Sequence, residues 1–118
     1  MRLARWLVGI LAAVGTLGGQ ELTKLTPELA GQVVGREATV CGTVVGFGCS
    51  PGEDTTVVFR TPVGAPWFDV AIAAADRGLF ETPLESHYFG QHVCATGAVT
   101  TAPRGYRIRA SAPGQLRI

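Results

Sequence analysis

The sequence predicts an all-β fold, a five-stranded Greek-key barrel carrying one or two short helices, on three observations. Runs rich in Val and Thr with period-two alternation recur from residue 33 to residue 110, bounded by glycine and proline. One stretch, residues 76–89, breaks that alternation and is itself interrupted at Pro83. Two segments echo one another: Gly35-Arg-Glu-Ala-Thr-Val-Cys-Gly42-Thr-Val and Gly90-Gln-His-Val-Cys-Ala-Thr-Gly97-Ala-Val share G-x6-G-x-V.

The elements follow in order. Thr26-Pro27-Glu28 predicts a short helix start, since proline suits the first helical position and an acid favours the positive end of the helix dipole. Gly31 and Gly35 bracket its end. Residues 33–47 form a long first strand, with Gly42 and Gly46 marking bends or bulges. Residues 48–54 are a loop, 55–61 a second strand, 62–66 a proline-bounded turn. Residues 67–73 are a third strand with Phe68, Val70 and Ile72 on one face. After the helical interruption come a fourth strand (91–100), a hairpin turn at Ala102-Pro-Arg-Gly105, and a fifth strand (106–110). Strand-strand-strand-helix-strand-strand is the order of the OB-fold. An SH3-like barrel is the main rival, but it does not normally place a helical connection between its third and fourth strands. In an OB barrel the first and fourth strands are neighbours, which accounts for the echo.

At 118 residues the chain holds a single core. With 47% hydrophobic and 16% charged residues it is neither disordered nor a repeat array. Residues 1–19 read as a secretory signal peptide. Arg2 and Arg5 form a basic start, and the apolar run 6–17 is shorter than the roughly 20 residues a membrane-spanning helix needs. Small residues follow at 13–18, and no cysteine stands at the cleavage zone to carry a lipid. The expected product is a single domain, residues 20–118, in the periplasm or outside the cell, with no stable membrane span. Losing Arg2 and Arg5 takes the formal charge from +1 to −1, eight basic residues against nine acidic. Bulk coating of nucleic acid is thereby excluded. The basic residues are unevenly placed, however: Arg104, Arg107, Arg109 and Arg117 follow Glu85, after which no acid occurs.

No nucleophile elbow, P-loop or zinc-protease motif is present, so neither enzymatic activity nor a cofactor is expected. Binding is the expected business of the chain. On an OB barrel the ligand face is the outside of strands two and three, flanked by the first loop and the loop between strands four and five. Parity turns Trp67, Val58 and Arg60 outward on that face, and Arg104, Tyr106, Arg107 and Arg109 lie at or beyond the hairpin. Aromatics interleaved with cations suit single-stranded nucleic acid, and an oligosaccharide fits the same face. Glu53, Asp54 and Asp69 stand on the same side and oppose phosphate. The alternative reading is an exported interaction domain for a protein or cell-envelope partner, its arginines simply solvated.

Three cysteines in an exported chain allow one bridge with one cysteine over. Cys41 and Cys94 share a parity, opposite inward Val40 and Val93, on strands that neighbour each other in the barrel, and so are the expected pair. Cys49 lies in the first loop, where an intermolecular bridge is an option. His92 shares a face with Cys94, and two thiolates with an imidazole can hold zinc or copper(I). Without C-x2-C or H-x3-H spacing, and in an oxidising compartment, the disulfide is favoured and no metal is expected. His87 reads as a surface residue near a helix end.

Beyond these local readings, the chain resembles a group of small exported bacterial OB-fold proteins labelled nucleic-acid-binding. The likeness is carried by Thr39-Val-Cys-Gly-Thr-Val, by Phe68-Asp-Val-Ala-Ile with Asp76-Arg77 and Phe80, by Tyr88-Phe-Gly-Gln-His-Val-Cys-Ala-Thr-Gly, and by Arg107-Ile-Arg-Ala-Ser-Ala-Pro-Gly-Gln-Leu. It covers residues 26–118, and both Cys41 and Cys94 fall inside its motifs, which implies the same bridge. The second strand departs from the pattern: Thr56-Val-Val-Phe-Arg-Thr stands where the group reads T-F-L-N-L, and Ala73 follows Ile72 where tryptophan is frequent. The ligand of that face is therefore free to differ here.

Overall fold

A computed structural model describes residues 24–49, 54–81 and 83–118. Residues 1–19, read from sequence as a signal peptide, lie outside the described residues, as do Glu53 and most of the first loop. Five strands make the barrel: β1 (Glu37–Cys49), β2 (Thr55–Phe59), β3 (Trp67–Ile72), β4 (His92–Ala102) and β5 (Gly105–Ala110). They close in the order β1-β2-β3-β5-β4 and back to β1. All pairings among them are antiparallel except β3 with β5. This is the OB-fold.

The strand alternation does what the sequence requires. Val40, Val44, Val57, Phe59, Phe68, Val70, Ile72, Val93, Val99 and Ile108 are fully or almost fully buried, and Phe59 meets Phe68 edge to face at 5.3 Å. The helical interruption is two short pieces, a 3-10 turn over Ala74–Leu79 and helix α1 over Leu84–Tyr88, with Pro83 as its N-cap. Phe80, Leu84 and Tyr88 join the core from this connection. The N-terminal helix is a 3-10 turn, Pro27–Val33, and Thr26 caps it without a side-chain hydrogen bond. The first strand is shifted from its expected 33–47 because Gly35, at φ 87°, turns the chain and the strand starts only at Glu37. At its far end the strand runs on through Gly48 and Cys49, which pair with Thr56 and Thr55.

The echoed glycines work in pairs. Gly35 and Gly90 both adopt positive φ ahead of their strands. Gly42 and Gly97 both occupy inward positions already filled by neighbours: a Cβ at 42 would lie 2.6 Å from Pro27, and one at 97 would lie 2.8 Å from Ile108. The bulge in β1 falls between Val44 and Gly46, so Gly46 marks the bulge as expected, whereas Gly42 serves close packing. Gln115 fastens the chain end. Its amide donates to the carbonyls of Thr96 and Arg109, and its oxygen accepts from the backbone N–H of Ser111 and Ala112.

Candidate ligand-binding groove

Among the described residues, two clefts adjoin on the outer face of β2 and β3. The larger, about 500 Å³, is bordered by Val45 to Gly48 of β1, by Thr56 and Val58 to Thr61, and by Trp67 and Asp69 of β3. The smaller, about 180 Å³, lies towards the β4–β5 hairpin and includes Arg104 and Arg107. Thr56, Trp67 and Asp69 border both, so the clefts adjoin along β3.

Trp67 begins β3 and is 44% exposed, because it starts the strand on the side away from buried Phe68. The Arg104 guanidinium lies over its ring, 4.8 Å from the centroid, a cation–π contact worth about 0.5–1 kcal/mol at an exposed site. Pro103 and Arg104 form the two-residue turn joining Ala102 to Gly105, and the Arg104 carbonyl accepts from the Trp67 N–H at 3.2 Å. The hairpin is thereby tied to the start of β3. Arg60 is exposed in the larger cleft, its backbone N–H held by the Thr43 carbonyl at 2.8 Å.

The other two arginines are paired. Arg107 donates from Nε to Asp69 Oδ1 at 2.6 Å and from Nη2 to Oδ2 at 3.1 Å. Hydrogen bonding to Asp69 raises the guanidinium above its ordinary pKa, partial burial works against this, and the charges of Asp69 and Asp54 add to the rise. Arg109 reaches Asp54 Oδ2 at 2.7 Å. Among the described residues Arg60 and Arg104 form no ion pair, so the face carries two cations that no described acid compensates. Two of the acids read from sequence as opposing phosphate, Asp69 and Asp54, act by cancelling specific arginines.

Tyr106 is placed differently from the other candidates. It shares the parity of buried Ile108, packs partly buried against the core, and its ring lies against Gly31, where a Cβ would come within 2.7 Å. It borders the smaller cleft at its edge, with the ring committed to packing. The site thus gathers Arg60, Trp67, Arg104 and Arg107, with Arg109 at its margin held by the first loop.

On the neighbouring β1–β4 surface Cys41 and Cys94 are directly opposed and disulfide-bonded, their Cα atoms 4.0 Å apart. His92 lies near both sulfurs, which are committed to each other. His87, in the last turn of α1, packs edge to face on Tyr88. At the end of β1, exposed Cys49 has Arg77 Nη1 3.6 Å from its sulfur, and Arg77 also hydrogen-bonds Thr55. Sequence reasoning placed Arg77 within a motif but missed its contacts, whose partners are 22 and 28 residues away in the chain.

No family model matches the chain, and no curated protein does. Solved structures do. One is described as an aspartyl-tRNA synthetase from Leishmania major Friedlin, at TM-score 0.53 and 9% identity, covering 83% of this chain and 21% of that one. An OBody bound to hen egg-white lysozyme has TM-score 0.49 and 21% identity over 80% of this chain and 87% of that one. Asparaginyl-tRNA synthetase from Pyrococcus horikoshii, complexed with asparaginyl-adenylate, has TM-score 0.47 and 16% identity, covering 80% and 20%. The chain spans about a fifth of each synthetase. The likeness is one of fold. Among the described residues no helix is long and apolar enough to cross a membrane.

Proposed function

We propose that this chain is an exported OB-fold binding module that takes single-stranded nucleic acid on the outer face of β1, β2 and β3. The observation that carries the reading is Trp67, a half-exposed indole between two clefts, flanked by the two arginines that no described acid neutralises. Stacking on an aromatic ring beside backbone-tracking cations is the general means of holding a single strand. The OB-type face and its two bordering loops are where such barrels bind oligomers. Export is supported by the basic-then-apolar leader and by the disulfide, a bond that persists in oxidising compartments.

Fluorescence anisotropy of labelled single-stranded DNA and RNA tests the reading. With two arginines on phosphates, the slope of log affinity against log salt is about −1.4, so binding weakens roughly seven-fold between about 50 and 200 mM salt. Failure to bind at the lower salt overturns the nucleic-acid reading. An oligosaccharide is the second reading, favoured by one observation: the charges of Arg107 and Arg109 are cancelled by Asp69 and Asp54, and Trp67 stands beside the Thr56 hydroxyl. Glycan binding independent of salt would establish it. Loss of both ligands would direct the search to a protein or cell-envelope partner. Export is checked by N-terminal sequencing of the secreted protein, which should begin near residue 20.

A further inference from the structure

We infer that Asp69 is a positioning residue that makes Arg107 a reader of base edges instead of a phosphate clamp, and that the base it reads is an unpaired guanine. The inference rests on the nucleic-acid reading of the groove. Asp69 and Arg107 are register partners on the parallel strands β3 and β5. Their side chains are only 13% and 20% exposed, and the two hydrogen bonds between them fix both the plane and the rotation of the guanidinium. The carboxylate also cancels the charge that would draw a phosphate. Of the five N–H donors of a guanidinium, these bonds engage Nε and Nη2. Arg107 lines the smaller cleft together with Trp67 and Thr56, and its remaining donors are assigned to a base stacked on Trp67. A fixed, nearly neutral fork of donors matches two adjacent acceptors, which guanine presents at O6 and N7, and single strands expose those edges. Arg60 and Arg104, which no described acid pairs, are left to track the backbone.

The test uses labelled oligothymidine of about ten nucleotides, with and without one central guanine, titrated with the wild-type chain and with Arg107→Lys, Asp69→Asn and Arg60→Ala. Wild type should prefer the guanine oligomer by about five-fold or more. Arg107→Lys keeps the charge and loses the fork, so the preference should vanish while the salt slope stays. Asp69→Asn should abolish the preference and steepen the slope by up to about 0.7, whereas Arg60→Ala should flatten it by about 0.7 and keep the preference. In the ligand-free chain, the Arg107 Nε–H resonance should exchange slowly with water, and quickly in Asp69→Asn. Thermal melts establish that each variant is folded. Guanine preference retained in Arg107→Lys, or fast Nε–H exchange in wild type, overturns the inference. Binding without base preference overturns it alone; a folded wild type that binds neither oligomer overturns the nucleic-acid reading with it.

Discussion

Gly105 lies directly beside Trp67 where β5 pairs in parallel with β3, and a Cβ at position 105 would stand 2.0 Å from the Trp67 carbonyl oxygen and 2.6 Å from its nitrogen. Both clashing atoms are backbone, so no side-chain rotation relieves them. The glycine closes the barrel and at the same time sets Arg104 against the indole.

Gly105→Ala should therefore destabilise the fold by at least about 3 kcal/mol, the upper part of the usual overpacking range. Urea unfolding would measure it. A variant within about 0.5 kcal/mol of wild type, the range of ordinary surface changes, would contradict the β3–β5 register. Gly46→Ala, whose added methyl would meet nothing within 4 Å, is the matched control.

Cys41 and Cys94 are separated by 53 residues in sequence. A cross-link of that span stabilises by about 4 kcal/mol on the chain-entropy estimate. Replacing both by alanine should lower the denaturant midpoint accordingly, and peptide mapping without reduction should recover the two cysteines in one linked peptide. Separate recovery would rule out the bridge.

Tyr88 is almost fully buried in the core. Burial raises its phenol pKa above the ordinary 10.0, and the nearby Glu81 charge adds to the rise. The folded state thus holds its proton more tightly than the unfolded chain. Stability from this group is complete below about pH 10 and declines as pH rises through the folded pKa. Denaturation titrations should show that alkaline decline weakened in Tyr88→Phe; an unchanged decline would remove Tyr88 as its source.

Trp67→Ala should weaken single-strand binding about ten-fold or more, in line with the loss of one stacked base. Because the indole is half exposed, stability should change far less than for a core aromatic. In a chain of residues 20–118, which lacks Trp6, Trp67 is the single tryptophan and its fluorescence should respond to ligand. Ligand binding unaffected by the substitution would place the site elsewhere.

Much of the barrel was legible because strand alternation is a local property. The inward Val and Phe residues, the Pro103-Arg104 turn, the break at Pro83 and the matched parity of Cys41 and Cys94 all follow from spacing. Strand ends were less legible: the positive φ of Gly35 delays β1, and pairing with β2 carries it to Cys49. The Gly42 and Gly97 echo was visible, but its role in close packing depends on Pro27 and Ile108, which come from other elements.

The sequence by itself determined the all-β class, the strand order, the outward setting of Trp67 and Arg60, and the cysteines that face each other. Tertiary structure alone decided the charge of the groove. Arg107 meets Asp69 across 38 residues and Arg109 meets Asp54 across 55, while the Tyr106 ring turns to Gly31. Parity says which face a side chain takes. Which acid meets which arginine is set by barrel closure, which brings distant strands into one register and cancels some of the cations that composition had left in view.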